Sequence, residues 1–134
     1  MREILFKARR KDNGKWVYGY LFRTPLTADF DCDGQYFSSM VKRICISNED
    51  GCVFEVIPET ICEYTGLTDK NGVKIFENDL VKARYEENNG YIKWNSDNAS
   101  FQVKGIPSHT LKRADELEVI GNVFDEGVEN VEVN

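Results

Sequence analysis

Four short turn sequences cut this chain into brief segments, and they constrain its fold more than any other feature. They are Asp12-Asn13-Gly14, Asn48-Glu49-Asp50-Gly51, Asp69-Lys70-Asn71-Gly72 and Asn88-Asn89-Gly90. Asn, Asp and Gly tolerate the positive φ angles that tight hairpins require. The runs between them are short and rich in β-branched and aromatic residues, which suit a pleated, half-buried strand. A chain turned this often has little room for long helices, so the fold class predicted is mainly β, or α+β with minor helix. Pro58-Glu59-Thr60 suits a turn or one helical turn. Thr110–Leu117 suits one or two turns, with Asp115-Glu116 opposing the helix dipole near its end.

The first hairpin is the clearest element. Ile4, Phe6 and Ala8 alternate with Leu5, Lys7 and Arg9, Asn13-Gly14 turns the chain, and residues 16–22 return. Period-two alternation sets Trp16, Tyr18, Tyr20 and Phe22 on one face, which implies a partner layer or a subunit contact. Residues 24–39 show no sustained period and read as a long loop. A second hairpin follows, Val41–Ser47 and Cys52–Ile57. In the second half, residues 64–67 lead into the Asp69–Gly72 turn, and five short strands expected near 73–76, 80–85, 91–94, 100–104 and 118–124 suit a small SH3-like barrel. The chain reads as a single unit over 1–134. A subdivision into a hairpin region, 1–58, and a barrel, 59–126, is compatible with it, and 127–134 forms an acidic tail.

Charge is distributed unevenly about a net of −6. Residues 1–24 carry Arg2, Lys7, Arg9, Arg10, Lys11, Lys15 and Arg23 against Glu3 and Asp12. Residues 111–134 carry Lys112 and Arg113 against seven acids. The plain reading is two solvated faces, since exposed pairs contribute little. The sharper one is head-to-tail association of copies, basic start to acidic end. An acidic balance argues against broad nucleic-acid binding, which needs a basic surface to release counterions, though a local basic patch could still touch phosphate.

Cys32, Cys45, Cys52 and Cys62 contain no C-x-x-C pair, and His109 is the sole histidine, so a zinc site is not expected. The N-terminus has no long apolar segment of the kind a secretory signal needs, and no stretch approaches the ~18 apolar residues of a membrane span. The expectation is a cytoplasmic protein with reduced, partly buried thiols and no membrane partner.

Motifs that would carry chemistry are few. Asp29-x-Asp31-x-Asp33-Gly34 matches the first half of a calcium loop, but Met40 stands where a bidentate Glu belongs, so an acidic surface loop is the better reading. His109 has Ser108 and Thr110 only as chain neighbours, which is poor geometry for activating either. Glu86-Glu87 flank a turn and read as solvated hairpin ends rather than a glycosidase pair. Tyr91, Lys93 and Trp94 resemble a stacking surface, yet their neighbours Glu86, Glu87 and Asp97 are acidic, which favours packing. There is no glycine-rich phosphate loop and no nucleophile elbow. No catalytic, cofactor or metal residue is therefore assigned.

Three stretches resemble the YopX family of phage and prophage proteins. They are Arg2–Ala8, Glu63–Val81 and Leu117–Phe124, which together frame nearly the whole chain. Family members usually carry Gly where this chain has Asn78, and Asn also tolerates a left-handed conformation. The resemblance implies a phage or prophage setting and brings no activity or ligand residue. Turn chemistry accounts for Gly66, Gly72, Gly90 and Gly121, and Asp69 and Asp79 are placed to accept backbone hydrogen bonds at loop starts. The function expected is a non-enzymatic accessory protein that binds or self-assembles, with a homo-oligomer and a host or phage protein as partners. A nucleic-acid-binding module is the first alternative. A small metal-dependent hydrolase using Asp29, Asp31 and Asp33 is the second.

Overall fold

The computed structural model describes residues 3–24, 28–30, 36–38, 43–84, 86–106 and 110–125. The elements in chain order are β1 (Phe6–Arg9), β2 (Trp16–Arg23), β3 (Ala28–Phe30), β4 (Tyr36–Ser38), β5 (Ile44–Ser47), β6 (Val53–Glu55), β7 (Cys62–Thr68), β8 (Lys74–Phe76), β9 (Asp79–Ala83), β10 (Gly90–Asn95), β11 (Ser100–Lys104) and β12 (Leu117–Asn122). Two short 3-10 segments, Pro58–Thr60 and Leu111–Glu116, are the helical content among the described residues. The fold is mainly β, as the turn spacing predicts. The chain divides into two compact units, one of Leu5–Ile61 and one of Met1–Ile4 with Cys62–Asn134.

In the Leu5–Ile61 unit the strands lie in the order β6-β5-β2-β1, all antiparallel. Asn13 and Gly14 make the first turn, with Gly14 at φ 74° and the Lys15 N–H donating to Asn13 Oδ1 at 2.9 Å. Asn48 works likewise at the second turn, its Oδ1 accepting from the N–H groups of Asp50 and Cys52. Lys11 N–H reaches Glu55 O at 3.0 Å, and Ile57 N–H reaches Arg9 O at 2.9 Å. These bonds draw the ends of β1 and β6 together, so the sheet curls around Ala8, Val17, Ile46 and Val56. Gly19 is required where β2 runs beside β5, because a Cβ there would strike the Ser47 carbonyl.

The segment 24–39, read from sequence as a loop, contains β3 and β4, which pair antiparallel in the register Ala28↔Ser38, Asp29↔Phe37 and Phe30↔Tyr36. Three-residue strands are too short to establish a period, so the sequence pattern passes over them.

In the other unit, β7 pairs with β8, and β9 to β12 form a sheet in the order β11-β10-β9-β12. No sheet among the described residues closes, so an open sheet stands where the sequence predicts an SH3-like barrel. A register shift in β12 between Val119 and Gly121 bends the strand against β9. The core beneath joins Ile75, Val81, Ala83, Ile92, Ile106 and Leu117 to Leu111 and Ala114 of the second 3-10 segment. Gly90 opens β10 because a Cβ there would stand 2.5 Å from Lys104 O.

Candidate binding surface

The register of the first hairpin decides which residues share its outer side. Ala8 lies opposite Val17, and Leu21 opposite Ile46, on the core side. Lys7 therefore stands opposite Tyr18, and Arg9 opposite Trp16, on the other side, where Tyr20 and Phe22 continue the row. The four aromatics share a face, as alternation predicts. That face is the one turned from the core. Tyr18 is 49% exposed, Tyr20 65% and Phe22 38%, while Trp16 is half-buried. The Lys7 ammonium lies 4.7 Å from the centre of the Trp16 ring and 6.0 Å from that of Tyr18, within cation–π range. At the turn end, the Arg9 Nε–H donates to Gly14 O at 2.7 Å. Arg10 pairs with Asp12 at 2.6 Å and lies over the Phe54 ring, and Lys11 pairs with Glu55 at 3.1 Å. Lys15 and Arg23, at the two ends of β2, are exposed.

The Glu63–Val81 stretch does something different. Asp79 is fully buried. Its Oδ2 accepts the Phe76 N–H at 2.8 Å and its Oδ1 accepts from Asn122 Nδ2 at 2.9 Å. Asn122 and Asn78 both direct Nδ2 at the buried Cys62 sulfur, each at 3.8 Å. Asn78 has φ 67°, a left-handed conformation that Asn tolerates. Asp69 ties the same unit together at the next turn. Its Oδ1 accepts from Asn71 and Val73, and its Oδ2 from Val119 of β12 at 2.9 Å. Burial pulls the Asp69 carboxyl upward, but these three N–H groups and Lys70 hold it below the usual carboxylate range. Asn122 and Cys62 are the residues that sequence reasoning misses. Their neighbours in sequence carry no sign that Asn122 meets Asp79 across 43 positions and Cys62 across 60.

The remaining sequence candidates do not assemble into a site. Asp31 and Asp33 lie outside the described residues, as do Cys32, His109 and the tail 127–134. Among the described residues no group of three or more His, Cys, Asp or Glu is placed to hold a metal ion. Cys45 and Cys62 are buried free thiols, and Cys52 is exposed. Burial, with Glu55 nearby, pushes the Cys45 thiol up, which keeps it protonated and unreactive. Tyr91, Lys93 and Trp94 do not form one surface. Trp94 follows the parity of buried Ile92, contacts Phe101 edge-on at 4.9 Å and is 41% exposed, while Tyr91 and Lys93 point the other way. A cleft of about 620 Å³ is lined by Lys70, Lys82, Arg84, Asp115, Glu116 and Glu118 among others. Its mixed charges favour no single ligand sign. No helix among the described residues is long and apolar enough to cross a membrane.

Comparison with known proteins agrees with the family resemblance. Residues 5–128 match the family described as YopX protein. No curated protein matches the sequence. Among solved structures, the crystal structure of protein EF1440 from Enterococcus faecalis is similar at 19% sequence identity and a TM-score of 0.49, over 92% of this chain and 95% of that one.

Proposed function

The chain belongs to the YopX family, which carries no named function, and from that premise we propose a non-enzymatic accessory protein of a phage or prophage element that acts by binding. The observation that carries this reading is the aromatic row Tyr18, Tyr20 and Phe22, which presents large rings to solvent on the face opposite the core. Rings left out of a core represent apolar area whose burial would be favourable, at ~25 cal/mol per Å². The working face is the outer side of β1 and β2, and its scaffold is the curled sheet behind them.

Purification from cells carrying the element tests this, with wild type and Tyr18→Thr/Tyr20→Thr compared side by side. At least one stoichiometric component, protein or nucleic acid, should stay with the wild type and leave the equally folded variant. Identical sets for both would sink the reading. Self-assembly is a separate part of it, supported by the opposite-sign ends of the chain. Light scattering should give a mass that rises with concentration, and a constant 15.4 kDa species would remove that part.

A further inference from the structure

The two edges of the sheet β11-β10-β9-β12 are built differently. β12 is closed along its outer side. Its Leu117 carbonyl accepts the Lys70 N–H at 3.0 Å, its Val119 N–H donates to Asp69 Oδ2 at 2.9 Å, and the register shift between Val119 and Gly121 breaks its line. β11 has β10 on one side and, among the described residues, no strand on the other. Its register with β10 is unbroken from Ser100 to Lys104. It contains no proline, and its one charged residue is Lys104 at its end. Bulges, proline and central charges are the usual means of keeping an edge from pairing, and β11 lacks them.

The main-chain groups that β11 turns outward follow from its neighbours. The Asn78 N–H donates to Ile92 O at 2.8 Å, and the Trp94 N–H donates to the Glu77 carboxyl. Ile92 and Trp94 therefore direct their main-chain groups away from β11. Direction alternates along a strand, so Tyr91, Lys93 and Asn95 bond to Lys104, Gln102 and Ser100 opposite them. Phe101 and Val103 are left with N–H and C=O aimed at the open edge. Space lies beside them, in a cleft of about 630 Å³ lined by the consecutive residues Ser100–Val103 and by Thr110 and Leu111 among others.

We propose that β11 is a self-pairing edge, which joins β11 of a second copy antiparallel about a two-fold axis at Gln102. This register sets Phe101 opposite Val103 of the second copy and uses every outward N–H and C=O of both strands, in about four main-chain hydrogen bonds. A pairing centred on Phe101 would set Val103 against Ala99, at φ 50°, and one centred on Val103 would set Phe101 against Gly105, at φ 90°, where the backbone is no longer extended. The side chains suit the Gln102 register as well. Aromatic and β-branched residues make favourable cross-strand neighbours, and Lys104 falls opposite Ser100, so no like charges are opposed. Phe101 and Val103 pack at the rim of the core that holds Ile92 and Leu111, and the second copy continues that apolar layer on the same side of the sheet. One strand pair buries little area, so the association is weak and depends on concentration. The proposal rests on the self-assembly part of the reading above, gives it an interface, and does not involve the aromatic face.

Sedimentation velocity of the full chain over a concentration series tests this. The mass should move from 15.4 kDa toward twice that value. Gln102 stands opposite itself in the pair, so Gln102→Glu and Gln102→Lys should each weaken association about 5-fold or more by setting like charges face to face. An equal mixture of the two should recover it. Tyr18→Thr/Tyr20→Thr should associate as the wild type does. Circular dichroism establishes that each variant is folded. Amide exchange followed by NMR should be fast at Phe101 and Val103 in dilute protein and slow down with concentration, while Gln102 is protected throughout. A mass constant at 15.4 kDa would overturn the pairing together with the self-assembly part. A rising mass that ignores both folded Gln102 variants, or that Tyr18→Thr/Tyr20→Thr abolishes, overturns the β11 edge alone and leaves self-assembly standing. Phe101 and Val103 amides protected in the monomer would mean that the chain covers this edge itself, which overturns the proposal too.

Discussion

The outer face of the first hairpin and the Asp79–Asn122 cluster invert the usual partition of side chains in opposite ways. On the hairpin, large rings face water, Tyr20 at 65% exposure. In the cluster, Asp79, Asn122 and Cys62 are shut away from it. The cluster meets the demands of its burial internally. Among the described residues no buried side-chain nitrogen or oxygen lacks a hydrogen-bond partner, and Asp79 uses both carboxylate oxygens. Burying polar groups is tolerable on those terms and costly on any others. The hairpin face has no comparable reason within its own unit to hold its rings outward. Asp79, with Cys62 and Asn122, builds a lock between β7, β9 and β12, whereas the exposed aromatic row lies on β2.

The largest test of this contrast is Asp79→Ala. It leaves the Phe76 N–H and one Asn122 amide proton buried without acceptors, at about 1–3 kcal/mol each, so a loss of about 3 kcal/mol is expected in urea unfolding. That is a large share of the ~5–15 kcal/mol typical of a folded domain. An unchanged midpoint would mean that the cluster is not a lock, and the comparison would collapse.

Asp69→Asn comes next, at about 1–2 kcal/mol, because an amide cannot accept at both ends and one NH₂ would face a backbone N–H. Its pH signature is specific. The Asp69 carboxyl is held below 3.8 in the fold, so its contribution is full above the unfolded value and is lost as pH falls through the lower folded one. Stability measured across that acid range should flatten in the variant.

How much of this was legible beforehand follows from what is local. Asn13-Gly14, Asn48 and Asp69 act within four residues of themselves, and each turn they mark is present. The face shared by Trp16, Tyr18, Tyr20 and Phe22 is equally local, being fixed by alternation. Which way that face points was not legible, because alternation distinguishes two sides without saying which meets a core. The curl of the first sheet depends on Lys11 meeting Glu55, 44 positions on, and nothing in either neighbourhood encodes it. For the same reason the sequence suggests a barrel in the second half, where the sheet is open, and overlooks the curl in the first. Asp79 is recognisable as a loop-start acid, but its second partner, Asn122, is supplied by a distant strand.

Glu77 sharpens the comparison from between the two extremes. Its carboxyl is pushed up, chiefly by burial, with Lys93 and the Trp94 N–H only partly offsetting it. The sign is opposite to that of Asp69. Ionising Glu77 is harder in the fold than in the unfolded chain, so stability falls as pH rises from 4.5 through the raised folded value. Glu77→Gln should raise the thermal midpoint slightly at neutral pH, by less than Asp69→Asn lowers it, and leave the acid range unchanged. A fall at neutral pH would show that the Lys93 attraction outweighs burial.

Tyr20→Thr should have the smallest effect on stability and is the most discriminating test of the face. Thr keeps the strand preference of β2 while removing a ring that is 65% exposed and lies opposite Ser47. A surface change of this kind stays within about ±0.5 kcal/mol. If the ring belongs to the fold, removing it should instead cost what a buried side chain costs, about 1.5–3 kcal/mol. Urea midpoints separate those outcomes without reference to any ligand. A loss in the upper range would make Tyr20 structural, like Asp79, and the two regions would no longer differ in kind. A near-zero change leaves a large ring, held outward on a rigid strand, that the fold does not need for its own stability.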